Sequence, residues 1–228
     1  MSSEKQTARL AGLIYLVVVL TGMFSLAYVP SKLIVWEDAE KTFRNLSSET
    51  QLFRWGIASS LLCYLAFLLL PLVLYRVLQP VNETRAKLMV IFALVSVPIS
   101  FLNLQHKFAV LDIINGTSYI KGMDSTQLQL LVMQHLEAYD SGILVVQLFW
   151  GLWLLPFGAL VYRSGFLPKV LGVLLMLGCF GYLVNVFGRT IIPHFDASSI
   201  AKFIRLPASL GEIGTCLWLL IFSVRKKQ

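Results

Sequence analysis

The sequence predicts an all-α, polytopic membrane protein, a six-transmembrane-helix bundle with short interfacial helices on its outer side. Three observations lead to this fold class. Hydrophobic residues make up 57% of the 228 residues, charged residues only 14%, and the mean hydropathy is +0.75, whereas about a quarter of the residues in a soluble domain are charged. Several apolar runs are long enough to cross a bilayer. Lys and Arg collect in the connections on one side.

Each apolar run has about 17 residues or more with few charges, which is the length that a spanning helix needs. The predicted spans are residues 10–29, 57–78, 88–104, 142–162, 170–187 and 207–224. The first run resembles a signal peptide, but its C-terminal flank stays apolar past the point of cleavage and further runs follow. We therefore interpret it as a retained helix, and we expect one six-helix domain over residues 1–228.

The short connections between the spans carry a surplus of basic residues. On this side lie Lys5, Arg9, Arg76, Arg85, Lys87, Arg163, Lys169, Arg225, Lys226 and Lys227, opposed by Glu4 and Glu83. Because short basic loops stay on the cytoplasmic side of a membrane, we predict a protein of the cell inner (plasma) membrane with both termini in the cytoplasm. The net charge of +7 favours contact with the anionic lipid bilayer, and we expect no binding of nucleic acid.

Three segments on the other side carry the start signals of helices. Ser48 and Gln51 have the spacing of a capping box, which predicts that the second helix begins near Glu49. Asp124 and Gln127 repeat that spacing and precede leucines on helical spacing, which predicts an interfacial helix leading into the fourth span. We expect a third short helix in the stretch DASSIAKFIRLP, broken or bent at Pro207.

Polar side chains inside the predicted spans follow helical spacing. The third span carries Asn103 and Lys107, the fourth carries Gln147, and the fifth carries Tyr182, Asn185 and Arg189. On each span these residues belong to one polar stripe along the helix. Because polar groups avoid lipid, we expect these stripes to converge in the outer half of the bundle and to form a polar pocket open to the outside. The alternative is that the neutral residues only form interhelical hydrogen bonds that hold the bundle together.

The sixth predicted span contains a carboxylate, Glu212, in an otherwise uncharged apolar run. A charge at the centre of a span costs about 2.5 to 3.5 kcal/mol, so an intramembrane acid is a candidate functional residue. Counted from Pro207, it lies about 8 Å deep and level with Asn185, or slightly nearer the outside. Its expected donors are, in order, Arg189, Lys107, and then Tyr182 or Asn185. Two interpretations stay open, a structural ion pair or hydrogen bond and a ligand or proton site.

Four stretches together resemble a known family. They are ARLAGLIYLVVVLTG, LYRVLQPVNETRAKLMVIFALV, YRSGFLPKVLGVLLMLGCFGYLV and GEIGTCLWLLIFSV. With their R-S-x-x-x-P-x-x-L-G turn and the Glu in the last helix, they are similar to the bacterial and archaeal membrane family "domain of unknown function 4386" over nearly the whole chain. The resemblance implies a small prokaryotic inner-membrane protein and supplies no reaction, substrate or cofactor. It also implies further charges in the second and third spans, where this chain has Ser60, Ala93 and Ser96, whereas Glu212 matches the acid of the last helix.

Catalytic motifs are weak in this sequence. The candidates for a metal site on the outer side are His106, His135 and His194 with Glu137, Asp140, Asp196 or Glu212. Neither HExxH nor GxSxG occurs, so we expect no catalytic residue, no metal and no cofactor, and a metal-dependent intramembrane hydrolase is the weakest alternative.

Two functions are consistent with these sequence features. The first is binding or transport of a small polar or amphipathic molecule through an outward-facing pocket centred on Glu212. The second is a structural or regulatory subunit that acts through contacts with a membrane-protein partner, in which case the polar stripes would serve packing alone.

Overall fold

The computed structural model describes residues 2–116 and 122–222; none of these residues lies in a strand, and 87% of them are helical. The helices are α1 (Ser2–Met23), α2 (Val29–Leu33), α3 (Ala39–Ser48), α4 (Thr50–Leu78), α5 (Glu83–Asn103), α6 (Gln105–Ile114), α7 (Ser125–Arg163), α8 (Lys169–Ile191), α9 (Ser199–Phe203) and α10 (Leu206–Ile221). A π-helical turn, Phe24–Tyr28, connects α1 to α2, and a 3-10 turn, Phe195–Ala197, precedes α9. The predicted all-α fold class is confirmed.

Six helical segments within the described residues are long and apolar enough to cross a membrane. In chain order these spans 1 to 6 are Glu4–Leu33, Thr50–Leu78, Glu83–Ile114, Ser125–Arg163, Lys169–Ile191 and Ser199–Ile221. They indicate a multi-pass membrane protein. The first five contain the predicted apolar runs completely and extend beyond them. Residues 223 and 224 of the sixth predicted run and the basic tail after them lie outside the described residues.

Two predicted helix starts have different outcomes. Gln127 N donates to Asp124 Oδ1 at 2.9 Å and Asp124 N donates to Gln127 Oε1 at 3.0 Å, which is the predicted capping box, and the helix that begins at Ser125 continues into span 4 without a break. For the second helix, the predicted start near Glu49 agrees with the observed start at Thr50, but the predicted cap at Ser48 is wrong. Its hydroxyl donates to Asn45 O at 3.1 Å and so completes the last turn of α3 instead of starting α4.

The short helix expected before the sixth run is α9. Ser198 caps it by accepting a hydrogen bond from Ala201 N at 3.2 Å. The helix is interrupted after Phe203, and α10 begins at Leu206 with Pro207 in its first turn, where the missing N–H of proline is tolerated. Both helices belong to span 6, so this span begins eight residues earlier than the sequence analysis placed it.

The chain groups into two compact units. The larger unit comprises Met1–Val17, Ala66–Pro98 and Leu144–Gln228, and the smaller unit comprises Val18–Leu65 and Ile99–Ile143. The expectation of one six-helix domain stays a prediction.

In the larger unit, spans 5 and 6 run antiparallel and meet at glycines. Gly178 lies against Ala208, and Gly211 lies against Leu175, so closely that an added Cβ would come within 2.7 Å and 3.0 Å of the facing backbone. Small residues allow helices in a membrane to pack at such short range. These contacts therefore fix the register of the two helices.

The smaller unit contains the π-helical turn, which is followed by Pro30. Val29 N donates to Phe24 O, five residues back instead of four. In this register the donor for the carbonyl of Ser25 would be residue 30, but proline has no N–H. The turn therefore leaves the carbonyl of Ser25 free to accept a hydrogen bond from a side chain. Turns of this π-helical kind are frequent at functional sites.

Candidate functional site

Glu212 lies on the buried face of α10 in the larger unit. Its neighbours at helical spacing on that face, Ala208, Thr215 and Leu219, are at most 1% exposed. The side chain of Glu212 is itself half-buried. The carboxylate therefore points toward the interior of the unit, as the sequence analysis expected.

The hydrogen-bond donor to Glu212 is Tyr15 of span 1. The Tyr15 hydroxyl donates to Glu212 Oε1 at 3.2 Å. Among the Lys and Arg side chains that the structure describes, none forms an ion pair with this carboxylate. Arg189, which the sequence analysis expected as its first partner, is therefore not its donor.

The register of spans 5 and 6 explains why Arg189 does not reach the carboxylate. Because Gly211 lies against Leu175, Glu212 is level with Leu174. Along the helix axis Asn185 is then about 16 Å away and Arg189 about 22 Å away, at 1.5 Å per residue. The expectation that Glu212 lies level with Asn185 is wrong, because the depth was counted from Pro207 although span 6 begins at Ser199.

Arg189 lies near the far end of span 5. It lines an open cleft of about 280 Å³ formed by residues 189–196, which also include His194 and Asp196. His194 has a left-handed backbone, with φ of 57°, so the chain turns sharply here. The cleft is local to this turn.

Aromatic side chains hold Tyr15 in place in the larger unit. Tyr15, Trp153 and Phe157 are each at most 1% exposed. The ring centroid of Tyr15 lies 6.4 Å from those of both other residues, which stack on each other at 5.0 Å. Tyr182 is eight residues from the level of Glu212 along span 5, about 12 Å at 1.5 Å per residue, and side chains on this helix lean toward that level because they lean toward the helix N-terminus. The sequence analysis missed Tyr15, because an aromatic residue in an apolar run usually serves packing and no local signal marks this one.

Asn185 and Gln147 lie together, as their stripes predicted. Asn185 Nδ2 donates to Gln147 Oε1 at 2.8 Å, and the two residues are 3% and 5% exposed. The two amides thus satisfy each other across spans 4 and 5 of the larger unit. This arrangement favours the interpretation as interhelical hydrogen bonding over ligand binding.

Lys107 and Asn103 belong to the smaller unit, where both contact Tyr139. Lys107 is 4% exposed, and its Nζ lies 4.3 Å from the centroid of the Tyr139 ring and donates to Ser25 O at 3.4 Å. Asn103 Nδ2 donates to Tyr139 O at 2.9 Å. The hydroxyls of Tyr139 and Tyr64 share a hydrogen bond of 3.2 Å. This cluster is a second polar site with a basic group at its centre.

Ser25 is the residue of this cluster that the sequence analysis missed. It is 1% exposed, and its Oγ has no hydrogen-bond partner among the described residues. Its position five residues before Pro30 is a signal that could have found it, because a π-register leaves the carbonyl at that position without a backbone donor.

The described histidines do not assemble a catalytic metal centre. His106 Nδ1 and His135 Nδ1 lie 3.2 Å apart in the smaller unit, whereas His194 belongs to the larger unit. Within the described ranges, no group of three or more His, Cys, Asp and Glu side chains could hold a metal ion. Catalytic zinc sites use three protein ligands, so this geometry gives no support to the hydrolase alternative.

Comparison with known proteins gives a family and no activity. A sequence model of the family described as "Domain of unknown function (DUF4386)" matches residues 10–222. A protein of Archaeoglobus fulgidus, described as "Uncharacterized protein", is 33% identical over 86 residues, which are 38% of this chain and 49% of that protein. The chain thus spans about half the length of this relative. No solved structure matches the chain.

Proposed function

The chain belongs to the family described as domain of unknown function DUF4386, and on that premise we propose a binding or transport function for it. The ligand is a small polar or amphipathic molecule that carries a positive charge. Glu212 is its charge partner. The protein resides in the inner (plasma) membrane of a prokaryotic cell, with both termini in the cytoplasm and the lipid bilayer as its surroundings.

The observation that carries this proposal is the open coordination of Glu212. A carboxylate accepts about four hydrogen bonds, and Glu212 has one, from Tyr15. No described cation neutralises it. An ionised carboxylate inside a helix bundle is stable only with a counter-charge or a proton. A ligand cation or a transported proton supplies the positive charge that the described residues do not provide.

The aromatic residues around Tyr15 favour an organic cation. Trp153 stacks on Phe157 and meets Phe67 edge to face, with ring centroids 5.3 Å apart. Aromatic faces attract ammonium groups, and Trp attracts them most strongly. The combination of one carboxylate with Trp and Tyr therefore suits an alkylammonium ion, whose head contacts Glu212 and whose carbon chain contacts the rings.

The site proposed here is smaller than the sequence analysis expected. Asn185 and Gln147 satisfy each other, and Arg189 lies about 22 Å from the level of Glu212 along span 5. The residues that we assign to the ligand are Glu212, Tyr15 and Tyr182. Glu212 is level with Leu174, five residues from Lys169 at the start of span 5, which favours access from the Lys169 end rather than through an outward-facing pocket.

Thermal unfolding of the lipid-reconstituted protein tests this assignment, because a ligand that binds only the folded state raises Tm. We would compare hexylammonium with hexanoate and hexanol, which share its chain and differ in charge. We expect hexylammonium alone to raise Tm in a saturable manner. Glu212→Gln abolishes the shift, whereas Glu83→Gln, which changes an exposed acid paired with Lys87 at 2.8 Å, retains it.

Two results would contradict the proposal. One is a parent protein that responds equally to the three hexyl compounds, and the other is a Glu212→Gln variant with an unchanged response. If hexylammonium stabilises the parent selectively, uptake of the labelled ion into proteoliposomes then separates a transporter from a binding protein.

A second candidate, a structural or regulatory subunit with a membrane-protein partner, is favoured by one specific observation. The amide pair of Asn185 and Gln147 and the glycine contacts of spans 5 and 6 are the features of a bundle held together by packing. Under this alternative no small cation shifts Tm, and Glu212→Gln lowers the stability of the protein without any ligand.

A further inference from the structure

We propose that Lys107 and Ser25 form a binding site for a small anion, a halide or a short carboxylate, in the smaller unit. This inference does not depend on the function proposed for Glu212. It rests on a buried amine without a described counter-charge, on a buried hydroxyl without a partner, and on the π-helical turn that brings the two together.

The charge of Lys107 is the first argument. Its side chain is 4% exposed, and among the described residues no acid forms an ion pair with it. An ammonium has three N–H donors. One of them points to Ser25 O at 3.4 Å, and the face of the Tyr139 ring lies 4.3 Å away. With these neutral contacts alone a protonated Lys107 is costly, and a bound anion would supply the counter-charge that stabilises the protonated form.

The hydroxyl of Ser25 is the second argument. It is a buried donor, and its Oγ is the described buried side-chain atom that lacks a hydrogen-bond partner. An unsatisfied buried hydroxyl costs about 1 to 3 kcal/mol, so native proteins rarely retain one. Because Lys107 contacts the carbonyl of the same residue, both groups lie around one peptide unit. A charged donor and a second donor on neighbouring atoms are the groups that an anion uses.

The π-helical turn explains why this peptide unit is exposed to the amine. The backbone donor for Ser25 O is absent because residue 30 is proline. The lysine takes the place of that N–H. The other polar groups nearby are already paired, since Asn103 donates to Tyr139 O and the hydroxyls of Tyr139 and Tyr64 bond each other. An anion at this point therefore contacts Lys107 and Ser25, with the Tyr139 ring as one wall.

Anion-dependent thermal unfolding tests the site in the full-length protein, in nanodiscs of zwitterionic phosphatidylcholine. The salts are sodium chloride, bromide and acetate, each compared at equal ionic strength with sodium gluconate, whose carboxylate is on a chain too bulky for a buried site. We expect a saturable rise in Tm with at least one of the three small anions and none with gluconate. The chloride and acetate series separate a halide site from a carboxylate site.

Two variants with matched controls assign the effect to these residues. Lys107→Met removes the charge and is expected to abolish the anion response. Lys32→Met, which changes an exposed lysine that also lies over a tyrosine ring, retains it. Ser25→Ala weakens the apparent affinity roughly tenfold, because a hydrogen bond to a charged group is lost. Ser31→Ala, in which the replaced hydroxyl donates to Tyr28 O at 2.7 Å, leaves the affinity unchanged.

Ser25→Ala also keeps the proposal testable if Lys107→Met does not fold. Without any small anion this variant is expected to be at least as stable as the parent, since an unpaired buried hydroxyl is removed. A parent protein without selective stabilisation by chloride, bromide or acetate overturns the proposal and leaves water as the occupant. An anion response of equal size in the parent and in Ser25→Ala overturns it as well.

Discussion

Replacement of Tyr15 by Phe tests the central contact of the larger unit. The substitution removes one hydroxyl and keeps the ring, which lies 6.4 Å from both Trp153 and Phe157. The bond from Tyr15 to Glu212 measures 3.2 Å, longer than the roughly 2.7 to 2.8 Å typical of O–H···O bonds. Hydrogen bonds between membrane helices average about 0.6 kcal/mol and reach about 1.7 kcal/mol. We therefore expect a loss of about 0.6 kcal/mol.

A double-mutant cycle with Glu212→Met isolates this contact. Methionine keeps the length of the side chain and removes both acceptor oxygens. Because Glu212→Met leaves the buried Tyr15 hydroxyl without its acceptor, Tyr15→Phe should cost nothing further in that background and should recover part of the loss, so the coupling energy is at least as large as the loss in the single Tyr15→Phe variant. Reversible unfolding of the protein in mixed micelles measures the four free energies of unfolding.

Glu83→Gln supplies the control for the cycle. Glu83 is an exposed acid whose described ion pair is with Lys87, so its effect and that of Tyr15→Phe should add. If Tyr15→Phe and Glu212→Met add in the same way, the two side chains do not interact and our account of this contact is refuted.

Three further predictions follow from helix packing and from topology. Gly178→Ala places a Cβ 2.7 Å from the facing backbone and should cost about 1 to 3 kcal/mol of unfolding free energy. Gly22→Ala is the control: its added Cβ lies 3.5 Å from a cysteine Sγ, so this variant should be neutral or stabilising. Gln147→Leu should cost about 1 to 3 kcal/mol because Asn185 is left buried without a partner, and replacement of both by Leu should recover most of this loss. A single cysteine at the exposed Thr126, in a background without the native cysteines, should react with an impermeant thiol reagent from outside the cell; labelling from the cytoplasm alone would reverse the orientation.

The spans and one helix start could be predicted from sequence because their causes are local. Apolar length decides which segments cross a bilayer, and the capping box of Asp124 and Gln127 satisfies backbone groups within four residues. Ser48 shows the limit of such patterns. Its hydroxyl donates to a carbonyl of the preceding helix instead of accepting a hydrogen bond from the following one.

The partner of Glu212 could not be predicted because it depends on the register between helices far apart in sequence. The glycines at positions 178 and 211 fix that register. The apolar sequence alone does not determine which residue of span 5 faces which residue of span 6. The donor comes from span 1, at Tyr15. The pairing of Asn185 with Gln147 could be predicted in part, since both belong to polar stripes that had to avoid lipid.

The balance of energies at Glu212 leads to a last prediction. A charge at the centre of a span costs about 2.5 to 3.5 kcal/mol, whereas one hydrogen bond between membrane helices returns about 0.6 kcal/mol and at most about 1.7 kcal/mol. The hydrogen bond from Tyr15 therefore offsets only part of the cost of an ionised Glu212. Glu212→Gln keeps an acceptor for Tyr15 and removes the charge. In the absence of ligand, the variant should unfold at the same free energy as the parent or at a higher one. A loss that clearly exceeds that of Tyr15→Phe in the same unfolding assay would mean that the charge holds the bundle together, and it would favour the structural subunit over the binding protein.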